Sequence, residues 1–232
     1  AEIIQATDLP VGVFNLLHGD GEGVGQAFSK HPQLDMLSFT GSTRAGKAIT
    51  KAAADTIKRV ALELGGKSPN LILEDADLVA AVKQGVLLCM SNSGQSCDAP
   101  ARMYVPRQHY QQALAIAKTT AENLVVGDPA EPTTDLGPVI SQAQYERIQA
   151  LIQAGLDEGA TLICGGLGKP VQLSAELAEG HYVQATVFGD VEQSMRIARE
   201  EIFGPVLVIL PYEHEAQLIE FANDSLYGLS AY

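Results

Sequence analysis

The chain has 232 residues, 46% of them apolar, enough to bury one large core or two small ones. A formal net charge of −13 argues against a nucleic-acid partner held by phosphate neutralisation. There is no apolar run of about 18 residues to span a membrane and no basic–apolar leader at the start.

In chain order, Val11 to Leu17 reads as a short apolar strand, followed by the Gly-rich turn Gly19-Asp20-Gly21-Glu22-Gly23. Val24 to Lys30 reads as a short helix, Leu34 to Phe39 as a second strand, and Ser42 to Ala54 as a helix. Ile57 to Leu64 completes the set as a third strand, β-branched at its start. Strand–helix alternation with short links is the pattern of a parallel, doubly wound sheet, so the fold class expected is α/β with Rossmann-like sheets.

After Gly65-Gly66 the character changes. Asn70 to Leu73 is a strand, and Asp75 to Asp77 can cap a helix over Leu78–Met90. Arg102 to Val105 is a strand. Gln108 to Asn123 is an amphipathic helix with Tyr110, Leu114, Ala117 and Ala121 on one stripe. Val125 to Pro138 is a loop, Ser141 to Glu158 a helix, Leu162 to Cys164 a short strand and Lys169 to Gly180 a surface excursion. Val206 to Leu210 is an apolar strand and Glu213 to Asn223 a last helix. The Gly65-Gly66 hinge divides the chain into 1–65 and 66–232. The chain opens at Ala1 without Met, and Tyr227 to Ala231 reads as the start of a strand, as expected of a segment of a longer polypeptide.

Three cysteines, Cys89, Cys97 and Cys164, are too few and too scattered for a disulfide framework and point to a reducing, cytoplasmic setting. Cys89 and Cys97 are eight residues apart, which matches no zinc spacing, and His214-Glu215 lacks the second His of a metalloprotease helix; no metal site is expected. Cys89, on an apolar helix, reads as a small core residue. Cys97, in the polar, Gly-broken stretch Asn92-Ser93-Gly94-Gln95-Ser96-Cys97, reads as a thiol facing a cleft. Asp98 beside it adds a charge opposed to thiolate formation, so its side chain is expected to point away.

Glu63 lies in the apolar stretch Val60 to Gly66, either as a desolvated base or as a carboxylate turned to the surface or paired with Lys67 or Arg59. Gly41-Ser42-Thr43-Arg44-Ala45-Gly46 opens a helix after a strand. It suits a phosphate, or is a plain N-cap by Ser42. The same stretch with Lys47-Ala48 nearly fits a P-loop but lacks the Mg²⁺-binding hydroxyl, and Gly66-Lys67-Ser68 lacks the first Gly. A P-loop-like NTPase is therefore a distant alternative. Glu200-Glu201-Ile202-Phe203-Gly204-Pro205 offers carboxylates and a ring, as a turn or as a binding loop.

In this order, four blocks resemble the aldehyde dehydrogenase superfamily: Phe39 to Gly46, Leu62 to Pro69, Asn92 to Cys97, and Glu200 to Val206. Gly180-His181-Tyr182 with Thr186 to Phe188, and Asn223 to Leu229, extend the likeness over essentially the whole chain. The resemblance implies NAD(P)-dependent oxidation of a small aldehyde to a carboxylic acid. Cys97 would be the nucleophile that carries a thiohemiacetal and then a thioester, and Glu63 the base that activates the hydrolytic water. It implies contacts to NAD or NADP from Gly21 and Gly25 near adenine, and from Gly41 and Ser42 near the pyrophosphate, with Ala45 close by at the adenine end. Leu64 and Gly66 would approach the nicotinamide by backbone, with Glu201 on its ribose and Phe203 flanking the ring.

The resemblance makes 1–65 the later part of a nucleotide-binding domain and 66–232 a catalytic thiol domain, with a homo-oligomer as the full-length assembly. The family's first βαβ unit and the Asn of its oxyanion site are expected before Ala1, and its C-terminal segment after Tyr232. The fold is thus expected to be incomplete at both ends. The alternative reading of the chain itself is a non-catalytic fragment or assembly module.

Overall fold

Two separate sheets form along residues 1–232, the span described by the computed structural model, one in each of two compact units, Ala1–Leu64 and Gly65–Tyr232. In the first unit a short helix α1 (Glu2–Gln5) is followed by α2 (Gln26–Lys30), strand β1 (Met36–Thr40), helix α3 (Thr43–Ala54) and strand β2 (Arg59–Glu63). The strands pair in parallel from Met36↔Arg59 to Thr40↔Glu63, with α3 as the crossover. The Ser42 hydroxyl accepts the Ala45 N–H at 3.2 Å and so starts α3 as a side-chain N-cap.

Two sequence expectations fail in this unit. Val11 to Leu17 is not a strand. The Val13 N–H bonds back to the Pro10 carbonyl at 3.2 Å, the Asn15 amide to the Gly12 carbonyl at 2.9 Å, and Gly12 sits at φ +91°, so local turns use the groups a ladder needs. Ile57 does not begin the third strand. Its N–H closes a turn on the Ala54 carbonyl at 3.1 Å, its φ is +54°, and the strand starts two residues later. The Gly-rich segment forms a wide helical turn over Gly21–Gly25, capped by the Asp20 carboxylate on the Gly23 N–H at 2.6 Å and running into α2.

The second unit contains β3 (Pro69–Leu71), α4 (Leu78–Met90), β4 (Arg102–Pro106), α5 (Tyr110–Glu122), α6 (Gln142–Asp157), β5 (Thr161–Cys164), β6 (Thr186–Gly189), α7 (Arg196–Arg199), β7 (Val206–Tyr212) and α8 (Glu215–Asn223). The sheet order is β3-β4-β7-β6-β5, parallel throughout except that β5 runs antiparallel to β6. A parallel neighbour would need a crossover helix. The link from β5 to β6 holds only the short turn Ala175–Leu177, so the strand returns antiparallel. Beside β3, the Tyr232 N–H bonds to the Pro69 carbonyl at 3.0 Å and the Leu71 N–H to the Tyr232 carbonyl at 2.8 Å, the pattern of a parallel ladder.

Alternation along the strands builds both faces. Met103, Val105, Val187, Leu207 and Ile209 meet Val82, Val86 and Cys89 of α4 and Leu114 and Ala117 of α5 in one buried cluster. Tyr104, Phe188, Val206, Val208 and Leu210 meet Ile148 and Ile152 of α6 and Leu218 of α8 in the other. Each fully buried side chain of this kind stabilises the fold by about 1.5–3 kcal/mol. The predicted stripe of Tyr110, Leu114, Ala117 and Ala121 on α5 is buried, and the Asp77 side chain caps α4 on the Ala80 N–H at 3.1 Å. No helix is long and apolar enough to cross a membrane.

Candidate active site

Helix α4 ends in the core with Cys89 and Met90, and the next residues leave it through a left-handed turn: φ is +52° at Asn92, +56° at Ser93 and +70° at Gly94. Left-handed backbone costs an L-residue about 1–2 kcal/mol, so such a turn persists only when its surroundings hold it. Here they do. The Asn92 amide donates to the Gln95 carbonyl at 3.0 Å, the Gln95 amide to the Asn92 carbonyl at 3.1 Å, and the Ser93 hydroxyl to the Gly137 carbonyl at 2.7 Å. The Gln95 side-chain oxygen also accepts the Ile140 N–H at 2.9 Å. A Cβ on Gly94 would overlap the Gly204 backbone, and one on Gly66 would overlap the Cys97 carbonyl oxygen. The segments at 66, 94–97 and 204 therefore meet backbone to backbone.

Cys97 follows this turn as a free, partly exposed thiol. Cys89 and Cys164 are buried, and burial pushes their thiols up to about 12 and about 11. Of the three, only Cys97 is offered to solvent.

Beside it, Gly66, Lys67, Gly94, Ser96, Glu201 and Phe203 line a small crevice. Glu201 Oε1 accepts the Gly66 N–H at 3.2 Å. Burial raises the Glu201 carboxyl, and the Gly66 N–H, Arg147 and Lys67 oppose that rise. Helix α6 holds the loop: Arg147 donates to the Glu201 carbonyl at 2.8 Å, and Gln144 to the Ile202 and Phe203 carbonyls at 3.0 and 2.9 Å. Phe203 is at φ +56° with its side chain 36% exposed. A half-buried carboxylate anchored through one oxygen and a partly open aromatic ring thus line the same crevice.

Lys67 entered the sequence reading only in the P-loop near miss and as an alternative partner for Glu63. It is 2% exposed, its Nζ has no hydrogen-bond partner, and burial pushes it down to about 8. An ammonium enclosed in this way is not presented to a phosphate, which removes that P-loop reading. Arg102 fixes the adjoining backbone, donating through Nε to the Lys67 carbonyl at 2.8 Å and through Nη2 to the Ala222 carbonyl at the end of α8 at 3.1 Å. The crowded Gly-Gly-Lys and the later buried Arg were the available signals, but neither has a periodicity that marks it.

Thus Cys97, Gly66, Glu201 and Phe203 come together in the second unit. Gly21, Gly25, Gly41, Ser42, Ala45, Glu63 and Leu64 belong to the first. There the Gly41 N–H donates to the Glu63 carbonyl at 3.0 Å, and the Ala45 N–H is taken by Ser42. Of the alternatives for Glu63, the chain by itself shows the carboxylate turned to the surface: the residue is exposed at the end of β2, whose middle residues are only half-buried. A two-stranded sheet with one crossover helix covers too little of the strand to enclose it. No group of three His, Cys, Asp or Glu side chains is arranged to hold a metal ion.

An α/β fold of this topology is shared with solved enzymes. An aldehyde dehydrogenase from Bartonella henselae is 53% identical and superimposes with a TM-score of 0.95 over 100% of this chain and 48% of its own. A cysteine-to-alanine mutant of aldehyde dehydrogenase C from Pseudomonas syringae, in complex with NAD+ and octanal, is 51% identical, with a TM-score of 0.93 over 96% of this chain and 45% of its own. A 3-succinoylsemialdehyde-pyridine dehydrogenase from a Pseudomonas species is 53% identical over all 232 residues, which make up 48% of it. Residues 1–232 match the aldehyde dehydrogenase family, and the chain belongs to it. It spans about half the length of these relatives.

Proposed function

We propose that this chain supplies the nucleophile, the hydrolytic base and much of the cofactor site of an NAD(P)-dependent enzyme that oxidises an aldehyde to a carboxylic acid. The observation that carries the reading is the contrast among the thiols: two are sealed in the core, and Cys97 is left reachable on a strained turn beside a carboxylate-and-ring crevice. The Cys97 sulfur attacks the aldehyde carbonyl to give a thiohemiacetal. Loss of hydride from that carbon leaves a thioester, which water releases as the acid. Glu63 takes the proton of that water. NAD(P)+, when bound, supplies the hydride acceptor.

Glu201 receives the ribose hydroxyls and Phe203 flanks the nicotinamide ring, with Leu64 and Gly66 close by through their backbone. Gly41 and Ser42 stand at the start of α3, where the helix dipole favours a pyrophosphate, although the Gly41 and Ala45 N–H groups are already taken within the chain. Ala45, Gly21 and Gly25 lie toward adenine. The NAD+ and octanal in the Pseudomonas syringae complex support both ligand classes. In this reading 1–65 belongs to the nucleotide-binding domain, 66–232 is the catalytic domain, and the full-length protein is a cytoplasmic homo-oligomer.

The test is Cys97→Ala in the full-length protein, followed by NAD(P)H formation across a panel of aldehydes. Loss of turnover to background, with cofactor binding retained, is expected. Turnover at the normal rate would refute the role.

A further inference from the structure

The residue after Cys97 carries a charge that the proposed reaction does not use. The Asp98 carboxylate is clamped on both oxygens: the Ser96 hydroxyl donates to Oδ1 at 2.5 Å and the Tyr232 phenol to Oδ2 at 3.1 Å. Ser96 and Asp98 flank Cys97, so their bond closes a tight loop around the thiol residue. The main chain is tied down as well. The Ser230 hydroxyl donates to the Asp98 carbonyl at 3.3 Å and lies 3.1 Å from the Ser68 hydroxyl, while the Tyr232 backbone pairs with Pro69 and Leu71.

Both side-chain donors favour the ionised carboxylate, and Ser96 is the largest cause holding it below its usual range. Its partners are two neutral hydroxyls, and none of the chain's ion pairs includes it, so the charge is fixed in place without being neutralised.

We propose that Asp98 is a specificity-determining residue, a clamped negative charge beside Cys97 that disfavours carboxylate-bearing electrophiles and favours neutral or amine-bearing ones. Applied to substrates, it predicts a preference for uncharged or cationic aldehydes over those ending in a carboxylate. That half rests on Cys97 being the nucleophile of the proposed function; the electrostatic half does not. Two unit charges several ångströms apart, in a medium between protein and water, alter a relative rate on the order of tenfold.

Alkylation separates the two halves. In the full-length protein, iodoacetamide (neutral) and iodoacetate (anionic) each react with the Cys97 thiolate, forming a carbon–sulfur bond as iodide leaves. The ratio of their rates cancels any change in thiol ionisation or access that both reagents share. Peptide mass spectrometry assigns the label, and labelling of the buried Cys89 or Cys164 would expose a misfolded variant. Asp98→Asn is expected to raise the iodoacetate-to-iodoacetamide ratio about tenfold, and Asp98→Glu to keep it low. An unchanged ratio in a folded Asp98→Asn variant overturns the proposal.

The second arm compares kcat/KM for a four-carbon aldehyde with and without a terminal carboxylate. Asp98→Asn should shift selectivity toward the acid-bearing aldehyde by a similar factor, and no shift overturns the substrate half. A wild type that oxidises neither aldehyde removes the proposed function and the substrate half with it, while the alkylation ratio still decides the charge.

Discussion

In the first unit the buried residues are Ser29, Gly46, Ala53 and Lys58, and Ala53 is the only apolar side chain larger than glycine among them. In the second, β4, β6 and β7 send alternate side chains into two buried clusters, one on each face of the sheet. Both units are built from strands joined by helices, and both were read from the same kind of periodicity. The difference teaches that a local pattern fixes the element, while burial depends on how many neighbouring strands and helices cover it. Glu63 and Cys97, the two residues proposed for the chemistry, illustrate that rule. Glu63 sits on a thinly covered strand and is exposed. Cys97 follows a helix that ends in the core at Cys89 and Met90, and is partly exposed beyond a left-handed turn.

Core truncation presses this contrast hardest. Phe188→Ala removes a fully buried ring from the five-stranded sheet and is expected to cost about 3–5 kcal/mol in denaturant unfolding. Leu62→Ala, on a half-buried strand of the first unit, is expected to cost under about 2 kcal/mol. Equal losses would break the comparison.

The two buried lysines sharpen it. Lys58, in the first unit, has its ammonium on the His31 carbonyl at 2.6 Å and the Phe28 carbonyl at 3.3 Å. Lys67, in the second, has none, and its pKa falls from 10.5 to about 8. A lysine lowered in this way carries its full stability cost below about pH 8, and the cost is relieved as pH rises toward the unfolded value of 10.5. The drop corresponds to on the order of 3 kcal/mol. Lys67→Met should therefore be more stable than the wild type near pH 7, with the gap closing between pH 8 and 10. Lys58→Met, which abandons two carbonyl acceptors, should lose on the order of 1 kcal/mol at pH 7. A pH-independent gap for Lys67→Met would show that its ammonium is accommodated by other means.

Much of the second unit was legible in the sequence. The α4 boundaries, its Asp77 cap and the buried stripe of α5 follow from apolar spacing and capping chemistry, which act within one helix. Strand β6 was not legible: Thr186–Gly189 is four residues long, and only pairing with β5 and β7 makes it a strand. Val11 to Leu17 failed the opposite way, as an apolar run that pairs with no strand and makes a turn of the Val13 N–H on the Pro10 carbonyl.

In the site, the reachability of Cys97 could be read from its polar, Gly-broken surroundings. The surrounding residues could not be read from spacing, although the family resemblance named Gly66 and Glu201. Gly66, Glu201 and Tyr232 lie far from it in sequence, and their approach depends on backbone contacts that no spacing records. The Asp98 carboxylate, expected to turn away from the thiol, is held between Ser96 and Tyr232.

The central claim is that Cys97 carries the acyl group. Glu63→Gln in the full-length protein, mixed with aldehyde and NAD+, then quenched and digested, tests it by peptide mass. The expected result is a burst of NADH together with an acyl adduct on the peptide containing Cys97, because hydride loss proceeds while hydrolysis is slowed. An NADH burst with that peptide unmodified, or with the acyl group on another residue, would contradict the claim.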